Sequence, residues 1–298
     1  MKSGFVSLIG KPNAGKSTLT NTIVGEKVSI VSWKPQTTRN KILGILSGDD
    51  YQLIIVDTPG MHKAKNALSK FMMKSVESGQ DGVEVIVYVM AMDKRLDEHD
   101  LQYINKYAAE STPFIVALNK CDEVEQSAIL ERITALKDIQ GIDSIIPISA
   151  LTGKNVDMLK SRLLELLPEG ERFFDEDMYT DKSMRFMVSE IIREKALRNL
   201  DEEIPYGIGV VVNKYEIGKN GVISIDADIV CEKQSHKAMV IGKGGAIIKK
   251  ISTQARQDIE NIVEQKVFLN LYVRVKEDWR DSDFLLNQLG YSIKDLKN

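Results

Sequence analysis

Residues 10–17 form a glycine-rich segment between a short apolar run, residues 5–9, and a stretch with helical character. They fit the pattern GxxxxGK[ST], in which backbone N–H groups curl around phosphate oxygens. The lysine places positive charge beside the outer phosphates, and the following serine hydroxyl is a Mg²⁺ ligand. The sequence therefore predicts a nucleoside-triphosphate site. Its expected phosphate-binding residues are Gly10, Asn13, Ala14, Gly15, Lys16, Ser17 and Thr18, with Gly60 from a later segment.

A second motif indicates which base is bound. Residues 119–122, Asn-Lys-Cys-Asp, follow the apolar run 113–118. A carboxylate there accepts hydrogen bonds from N1–H and the exocyclic amine of guanine, whereas adenine offers no such pair of donors. We expect Asn119 to brace the loop and the stem of Lys120 to lie over the base. The predicted guanine-binding residues are Asn119, Lys120, Asp122, Ser149, Ala150 and Leu151.

Two further segments have the residue types of a nucleotide switch. Asp57 begins the tetrapeptide Asp-Thr-Pro-Gly at the end of a strand-like run, and Gly60 ends it. Thr38 lies in the polar stretch Gln-Thr-Thr-Arg. We expect the Gly60 N–H to reach the γ-phosphate, and Ser17, Thr38 and Asp57 to be the Mg²⁺ ligands.

The residue after this tetrapeptide is not one that could orient water for hydrolysis. Many GTPases have a glutamine there that orients the attacking water. Here Met61 occupies the position, and a thioether cannot do this work. We assign no catalytic residue and expect very slow intrinsic hydrolysis. His62 is expected to be an ordinary surface histidine, and Arg39 is not assigned as an arginine finger.

Composition limits the classes of protein that fit. The chain has 298 residues, a formal charge of −3 and two cysteines. These numbers favour two domains, exclude a general affinity for nucleic acid, and offer no disulfide framework or disulfide-linked partner. The phosphate loop begins within ten residues of the first methionine, which leaves no room for a signal peptide. We expect a cytoplasmic monomer, and peripheral contact with the inner face of the membrane stays open.

Hydrophobic runs alternate in type along residues 1–168. Strand-like runs fall at 4–9, 41–46, 52–56, 84–90, 114–118 and 145–148, and helix-like segments at 16–25, 64–79, 96–110, 124–138 and 155–167. This alternation predicts an α/β domain with a doubly wound, mostly parallel sheet. Residues 169–183 are acidic and are expected to link this domain to a second one, with Phe173 and Phe174 packed onto one neighbour or the other.

Residues 184–298 are predicted to form a second, α+β domain. An amphipathic helix at 184–200 precedes a hairpin with the turn Asn220-Gly221, a pair that favours tight turns. The later segment Ile-Gly-Lys-Gly-Gly matches the GxxG loop of KH domains, which clamps about four nucleotides. Residues 233–256 carry six basic and no acidic side chains. The predicted binding residues for single-stranded nucleic acid, RNA or DNA, are Lys237, Ile241, Gly242, Lys243, Gly244, Gly245, Lys249 and Lys250.

Taken in order, these motifs, including Pro-Gln-Thr-Thr-Arg at 35–39 and Ser-Ala-Leu at 149–151, resemble the Era family of bacterial GTPases over nearly the whole chain. Residues 190–195, Glu-Ile-Ile-Arg-Glu-Lys, also match that family's pattern, and the family shares an apolar residue at the position of Met61. The resemblance implies a P-loop GTPase followed by a type II KH domain, with GTP or GDP and Mg²⁺ as cofactors. It further implies the single-stranded 3′ end of 16S rRNA and the 30S subunit as partners.

Two alternatives stay open from the residues alone. A metabolic P-loop enzyme would need a second small-molecule pocket, for which the sequence supplies no catalytic residues. An RNA-binding module that keeps GTP as a structural ligand, without significant hydrolysis, is harder to separate because Met61 removes the usual catalytic signal.

Overall fold

The computed structural model describes residues 1–297. An N-terminal unit contains a six-stranded sheet in the order β2-β3-β1-β4-β5-β6. Its strands are β1 (Lys2–Ile9), β2 (Ile42–Ser47), β3 (Tyr51–Asp57), β4 (Val85–Ala91), β5 (Phe114–Asn119) and β6 (Ile142–Pro147). Its helices are α1 (Lys16–Val24), α2 (Ala67–Ser78), α3 (Glu98–Ala108), α4 (Gln126–Leu136) and α5 (Val156–Leu166).

The pairing of the strands is that of a doubly wound sheet. All neighbours are parallel except β2 and β3, which form an antiparallel hairpin. Every residue of β4 is buried, because helices cover both faces of a parallel sheet and its strands are therefore apolar without alternation. The predicted α/β architecture is confirmed.

One strand differs from its expected position. β6 begins at Ile142 and not at residue 145. Polar residues hid its start in the sequence, because Asp143 lies at the surface, where it accepts two hydrogen bonds from Arg162 at 2.9 and 2.6 Å.

A C-terminal unit packs helices on a three-stranded sheet in the order β7-β8-β9. Its elements are α6 (Met184–Asn199), β7 (Gly209–Ile217), β8 (Ile223–Cys231), α7 (Gln234–Ile241), α8 (Ala246–Val263), β9 (Val267–Val275) and α9 (Asp283–Gln288). β7 and β8 are antiparallel, and β8 and β9 are parallel. The buried face of α8 carries Ile251, Ala255 and Ile259. The predicted order of helices and strands, and the type II KH architecture, are confirmed.

The acidic segment that precedes α6 lies against the N-terminal unit. Gln52 uses its side-chain carbonyl to accept the backbone N–H groups of Phe173 and Phe174, at 2.8 and 3.0 Å. The ring of Phe173 meets that of Phe5 edge-on, with 4.9 Å between centroids. Both phenylalanines are therefore associated with the first sheet.

Helix α6 is not amphipathic, contrary to the expectation for residues 184–200. Nearly all of its middle is buried, including Glu190, Arg193, Glu194 and Lys195. Val188, Ile191 and Ile192 join the core of the C-terminal unit, whereas Arg193 and Glu194 are hydrogen-bonded to the N-terminal unit. A helix between two layers buries both sides, so its sequence carries no simple polar face.

The two units also share an apolar cluster. Phe71 of α2 packs edge-on against Tyr291, with ring centroids 5.7 Å apart, and Trp279 belongs to the same buried group. Within residues 1–297, no helix is long and apolar enough to cross a bilayer.

Candidate functional site

A cleft of about 650 Å³ opens at the carboxyl ends of the parallel strands. The chain after β1 leads into α1, and the loops that follow β5 and β6 close the other end. Ligand sites of open α/β sheets form at this edge. Thirteen predicted site residues line the cleft: Asn13, Gly15, Lys16, Ser17, Thr18, Thr38, Gly60, Asn119, Lys120, Asp122, Ser149, Ala150 and Leu151. Three other predicted residues, Gly10, Ala14 and Asp57, form hydrogen bonds with residues that line the cleft.

The phosphate loop is held by its own lysine. The ammonium of Lys16 donates to the carbonyls of Gly10 at 3.0 Å and of Lys11 at 3.2 Å. Gly15 has a φ of +92°, and a Cβ there would overlap the side-chain amide of Asn119. Only glycine satisfies both conditions, so the curl of the loop at this point depends on it.

Burial changes the protonation of two groups beside this loop. It lowers the pKa of Lys16 to about 8, although the nearby charge of Asp57 opposes the shift. Burial also raises the pKa of Asp57, against the effects of the Ser17 hydrogen bond and the Lys16 charge. Desolvation disfavours the charged form of both groups. A bound anion beside Lys16 would favour the charged ammonium, and a bound cation beside Asp57 would favour the charged carboxylate.

Three oxygen atoms converge beside Lys16. The hydroxyl of Ser17 lies 2.7 Å from the Thr38 hydroxyl and donates to a carboxylate oxygen of Asp57 at 2.7 Å. The other carboxylate oxygen of Asp57 is buried, with no hydrogen-bond partner within residues 1–297. Hydroxyl and carboxylate oxygens are ligands that Mg²⁺ accepts. The unpartnered oxygen of Asp57 can accept a further contact. The three side chains therefore fit a Mg²⁺ ion.

Asn119 connects the two ends of the cleft. Its side-chain amide donates to the carbonyl of Ala14 at 2.8 Å, and its carbonyl oxygen accepts the N–H of Ala150 at 2.9 Å. The phosphate loop and the loop after β6 are therefore fixed to one side chain. This is the bracing that the sequence predicted.

The neighbouring lysine has a partner that the sequence did not reveal. Lys120 has a φ of +65°, and its ammonium lies 3.0 Å from a carboxylate oxygen of Asp93. That ion pair sets the direction of the lysine stem along the base end of the cleft. Asp122 is exposed and lines the same end, while Cys121 is buried, as a small filling residue is.

Neither Met61 nor His62 is among the residues that line the cleft. Met61 is 8% exposed, its side chain packs with the core around Tyr88, and its N–H donates to the Gly10 carbonyl at 3.1 Å. Met61 therefore offers no polar group at the position where many GTPases have a water-orienting glutamine. His62 is not a free surface residue, contrary to expectation. It is half-buried, and its Nδ1 lies 2.7 Å from the Gly60 carbonyl oxygen.

Arg39 lies away from the phosphate loop. Its side chain is 0% exposed and donates to the carbonyls of Ile208 at 2.7 Å and of Tyr206 at 3.1 Å. It is therefore a contact between the two units and not an arginine finger. Sequence reasoning had no signal for this contact, because the partners lie far along the chain.

The segment that carries Thr38 is held by α6, and we call residues 26–40 the switch segment. Arg193 donates to the Thr37 carbonyl at 2.5 Å, and Glu194 accepts the ammonium of Lys27 at 2.7 Å. The position of Thr38 is thus linked to the C-terminal unit through its own neighbours in the chain.

A second candidate site lies between α7 and α8. The loop there has Gly242 at a φ of +73°, where a Cβ would press against Ile247. Lys243 and Gly244 are exposed at its tip. All eight predicted residues lie on α7, on α8 or in the loop between them, and each is at least partly exposed. Gly245 continues the loop, Lys249 and Lys250 are exposed on the next helix, and Lys237 and Ile241 are partly exposed on the preceding one.

Family profiles match both halves of the chain. A profile described as "50S ribosome-binding GTPase" matches residues 5–120, and one described as "KH domain" matches residues 203–280. The first contains the phosphate loop and the guanine motif up to its lysine. The second contains the glycine loop between α7 and α8.

Relatives and solved structures agree over the full length. Proteins named GTPase Era from Clostridium botulinum strain Hall and Clostridium kluyveri are 47% and 48% identical, covering 97% and 98% of this chain and 98% and 99% of their own. Two structures have a TM-score of 0.94 at 36% identity, covering 98% of this chain and 100% of theirs. One is a point variant of Aquifex aeolicus Era bound to GDP and aluminium fluoride. The other is Era with MgGDPNP and nucleotides 1506–1542 of 16S ribosomal RNA.

Proposed function

Since this chain belongs to the GTPase Era family and is a GTPase with a C-terminal KH domain, we propose that it is a slowly hydrolysing switch that binds 16S rRNA and assists assembly of the small ribosomal subunit. Its RNA target is the single-stranded segment near the 3′ end. The observation that carries this proposal is the exposed glycine loop between α7 and α8, in a fold shared with a relative bound to nucleotides 1506–1542 of 16S rRNA.

The surface around that loop has the chemistry that a single strand requires. Lys243 projects from the tip, and Lys249 and Lys250 follow on α8. These charges meet phosphates, while a glycine-edged turn lets the sugar-phosphate backbone approach the N–H groups closely. Partly exposed Ile241 offers apolar surface to unstacked bases. The lysines lie on one surface of a chain whose net charge is negative, so attraction to RNA is local.

The nucleotide site supports a switch that depends on the third phosphate. Ser17, Thr38 and Asp57 would hold Mg²⁺, which neutralises charge on the phosphates when bound. Lys16 supplies a second positive charge, and the N–H of Gly60 is available to the γ-phosphate. Loss of that phosphate removes the ligand that keeps Thr38 and Gly60 in place, so the switch segment is expected to relax in the GDP state.

Relaxation of the switch segment would alter the docking of the C-terminal unit. Three residues of the segment, Lys27, Thr37 and Arg39, form hydrogen bonds with that unit. A complete reversal between two arrangements needs about 5.5 kcal/mol of differential binding. Small-angle scattering of the full chain with Mg-GDP and with a Mg-GTP analogue, each with and without RNA, tests this coupling. Coincidence of the two nucleotide profiles, both without RNA and with it, would contradict it.

Slow hydrolysis follows from the position of Met61. This side chain is in the core and carries no polar group, so it cannot orient the attacking water. We expect RNA or the ribosomal subunit to raise the rate by reordering the switch segment. The alternative is a binding module with GTP as a structural ligand. RNA-stimulated multiple turnover rejects that alternative, and turnover that is undetectable under every condition would favour it.

A large-subunit partner has weaker support. It is favoured only by the name of the profile that matches residues 5–120, which leaves out the C-terminal unit. The rRNA-bound relative matches 98% of this chain. We also infer a cytoplasmic site of action, where subunits are assembled. Contact with the inner face of the membrane is a separate proposal, to be tested by flotation with anionic vesicles.

RNA binding is tested with a labelled oligonucleotide of the 16S rRNA 3′ end and fluorescence anisotropy. Lys243→Glu is expected to weaken binding by about ten-fold or more and to reduce the salt dependence, because one phosphate contact becomes a repulsion. Lys219→Glu is the matched control, since this lysine is exposed in the hairpin turn away from the glycine loop. Equal losses of RNA affinity in both variants, or no loss in Lys243→Glu, would contradict the assignment of this surface to RNA binding. Co-sedimentation with 30S and 50S subunits separates the two partners.

A further inference from the structure

Trp33 is an exposed aromatic residue at the mouth of the nucleotide cleft. Its side chain is 66% exposed, whereas the only other tryptophan in the sequence, Trp279, is 0% exposed. Within residues 1–297 it is the single aromatic side chain among those that line the cleft. Single exposed hydrophobic side chains are common on proteins, but this one lines the nucleotide cleft, and neither the phosphate motif nor the guanine motif includes it.

The backbone of Trp33 is attached to the phosphate loop. The side-chain amide of Asn13 donates to the Trp33 carbonyl at 2.7 Å. Asn13 belongs to the loop that ends with Lys16, so the backbone of the tryptophan lies beside the phosphate loop.

The chain on either side of Trp33 is held firmly. Arg198 donates to the carbonyl of Val31 at 2.8 Å, and the ammonium of Lys34 donates to the carbonyl of Leu200. Both partners belong to the end of α6 or directly follow it. The indole is therefore presented to the cleft by a fixed backbone, while its own side chain makes no hydrogen bond within residues 1–297.

We propose that Trp33 is a nucleotide-binding residue that covers the sugar-phosphate part of bound GTP or GDP. Its apolar face would lie on the ribose, and its indole N–H is a donor for a ribose or phosphate oxygen. Covering this side slows the departure of the nucleotide and keeps water from the outer phosphates. The proposal concerns the nucleotide site alone, so it stands or falls independently of the 16S rRNA proposal.

Dissociation kinetics test the residue directly. Tritium-labelled GDP, whose ribose is unmodified, is released from the full chain in the presence of excess unlabelled GDP, and the retained label is counted on filters. Trp33→Ala is expected to speed release by about ten-fold, and Trp33→Phe by about two- to three-fold, since phenylalanine keeps an aromatic face but loses the N–H and part of the ring area. Phe284→Ala is the matched control, because Phe284 is 70% exposed on α9, outside the cleft. It should leave the release rate unchanged.

Fluorescence quenching gives a second readout on the unaltered protein. Acrylamide reaches Trp33 and not the buried Trp279, so the quenching constant reports the exposure of one residue. It should fall about three-fold when Mg-GDP or a Mg-GTP analogue binds, as burial of the indole requires. Unchanged quenching, or a release rate of Trp33→Ala within about two-fold of the parent, overturns the proposal. Weaker RNA binding of Trp33→Ala without faster nucleotide release overturns it too, and assigns the indole to the RNA surface.

Discussion

Arg39 lies against the ring of Tyr291, with 5.9 Å between its Cζ atom and the ring centroid, and donates to the tyrosine hydroxyl at 3.3 Å. The same guanidinium lies 5.8 Å from the ring of Trp279. Arg39 directly follows Thr38, whose hydroxyl lies beside Ser17. A contact between residues 39 and 291 therefore joins the γ-phosphate side of the nucleotide site to the end of the C-terminal unit.

Removal of this guanidinium is expected to weaken the interface. Arg39→Ala loses two hydrogen bonds to backbone carbonyls and removes this donor from the buried carbonyl of Ile208 and the partly buried carbonyl of Tyr206. We expect the free energy of unfolding to fall by about 3 kcal/mol, measured with urea. Arg39→Lys keeps the charge but cannot fork to two acceptors, so it should recover only part of the loss. Arg185→Ala, at an exposed arginine of α6, should change stability by less than about 0.5 kcal/mol.

The same variant distinguishes a structural contact from one that positions Thr38. If the interface supports Thr38, Arg39→Ala weakens binding of a GTP analogue more than binding of GDP. If it supports only the fold, both affinities change alike. If the ratio of the two affinities stays within about two-fold of the parent's ratio, Arg39 contributes to stability and does not position Thr38.

The motifs were predictable because their residues are close in sequence and their chemistry is local. The phosphate loop needs glycines at residues 10 and 15, and the guanine loop needs a carboxylate at 122. The burial of Arg39 and the presentation of Trp33 depend instead on α6 and on residues around 200 and beyond. Contacts over such separations leave no periodic or spaced pattern in the sequence. The burial of the charged residues of α6 is hidden for the same reason, since a helix between two layers gives no polar face.

Asp122 is expected to decide the choice of base. Asp122→Asn replaces an acceptor by an amide that can donate, which suits the extra carbonyl of xanthine in place of the guanine amine. Affinity for GDP should fall by about a hundred-fold or more, and affinity for XDP should rise. Competition between labelled GDP and unlabelled GDP, ADP and XDP measures this. Retention of the preference for GDP would show that Asp122 does not read the base.

Asn119 should matter equally for both nucleotides. Asn119→Ala leaves the Ala14 carbonyl and the Ala150 N–H without their buried partner. The expected cost is about 2–3 kcal/mol of unfolding free energy, with similar losses of affinity for GDP and for a GTP analogue. Asn105→Ala, at an exposed position of α3, is the control. A variant that lost affinity for only one nucleotide would contradict a bracing role.

Lys16 should take up a proton when nucleotide binds above neutral pH. Burial lowers its pKa to about 8, so the lysine is mostly neutral at about pH 8.5 and mostly charged at about pH 7. Bound phosphates restore the ordinary pKa, since an adjacent anion favours the ammonium. Uptake from this group is expected to be about three quarters of a proton at about pH 8.5 and about a tenth at about pH 7.

Titration calorimetry in buffers of different ionisation enthalpy measures that uptake. Above about pH 8 the affinity should then fall as pH rises, because the free protein must be protonated before it binds. Lys63→Gln, an exposed lysine near the cleft, should show the same uptake as the parent. Equal uptake at these two pH values would mean that Lys16 is already charged in the free protein.

Glu194 is expected to stabilise the interface only while it is ionised. Its side chain is 1% exposed and lies 2.7 Å from Lys27 and 2.8 Å from Arg198. Burial alone would raise its pKa, but the hydrogen bond and charge of Lys27, with the charges of Lys195 and Arg198, hold the pKa below 4.5. A carboxyl with a depressed pKa contributes stability above its unfolded pKa and loses it as pH falls through the folded one.

Glu194→Gln keeps the shape and removes this charge, leaving the cations of Lys27, Lys195 and Arg198 with a weaker acceptor. The free energy of unfolding at about pH 7 should fall by about 3 kcal/mol. The gap between variant and parent should narrow as the pH drops below 4.5 and through the lower pKa of the folded carboxyl, where the parent also loses the charge. Glu165→Gln is the matched control: Glu165 pairs with Arg162 at 2.7 Å but is 65% exposed, so its loss should cost less than about 1 kcal/mol. A gap that stays constant from about pH 7 to about pH 3 would mean that the side chain acts through packing and not through its charge.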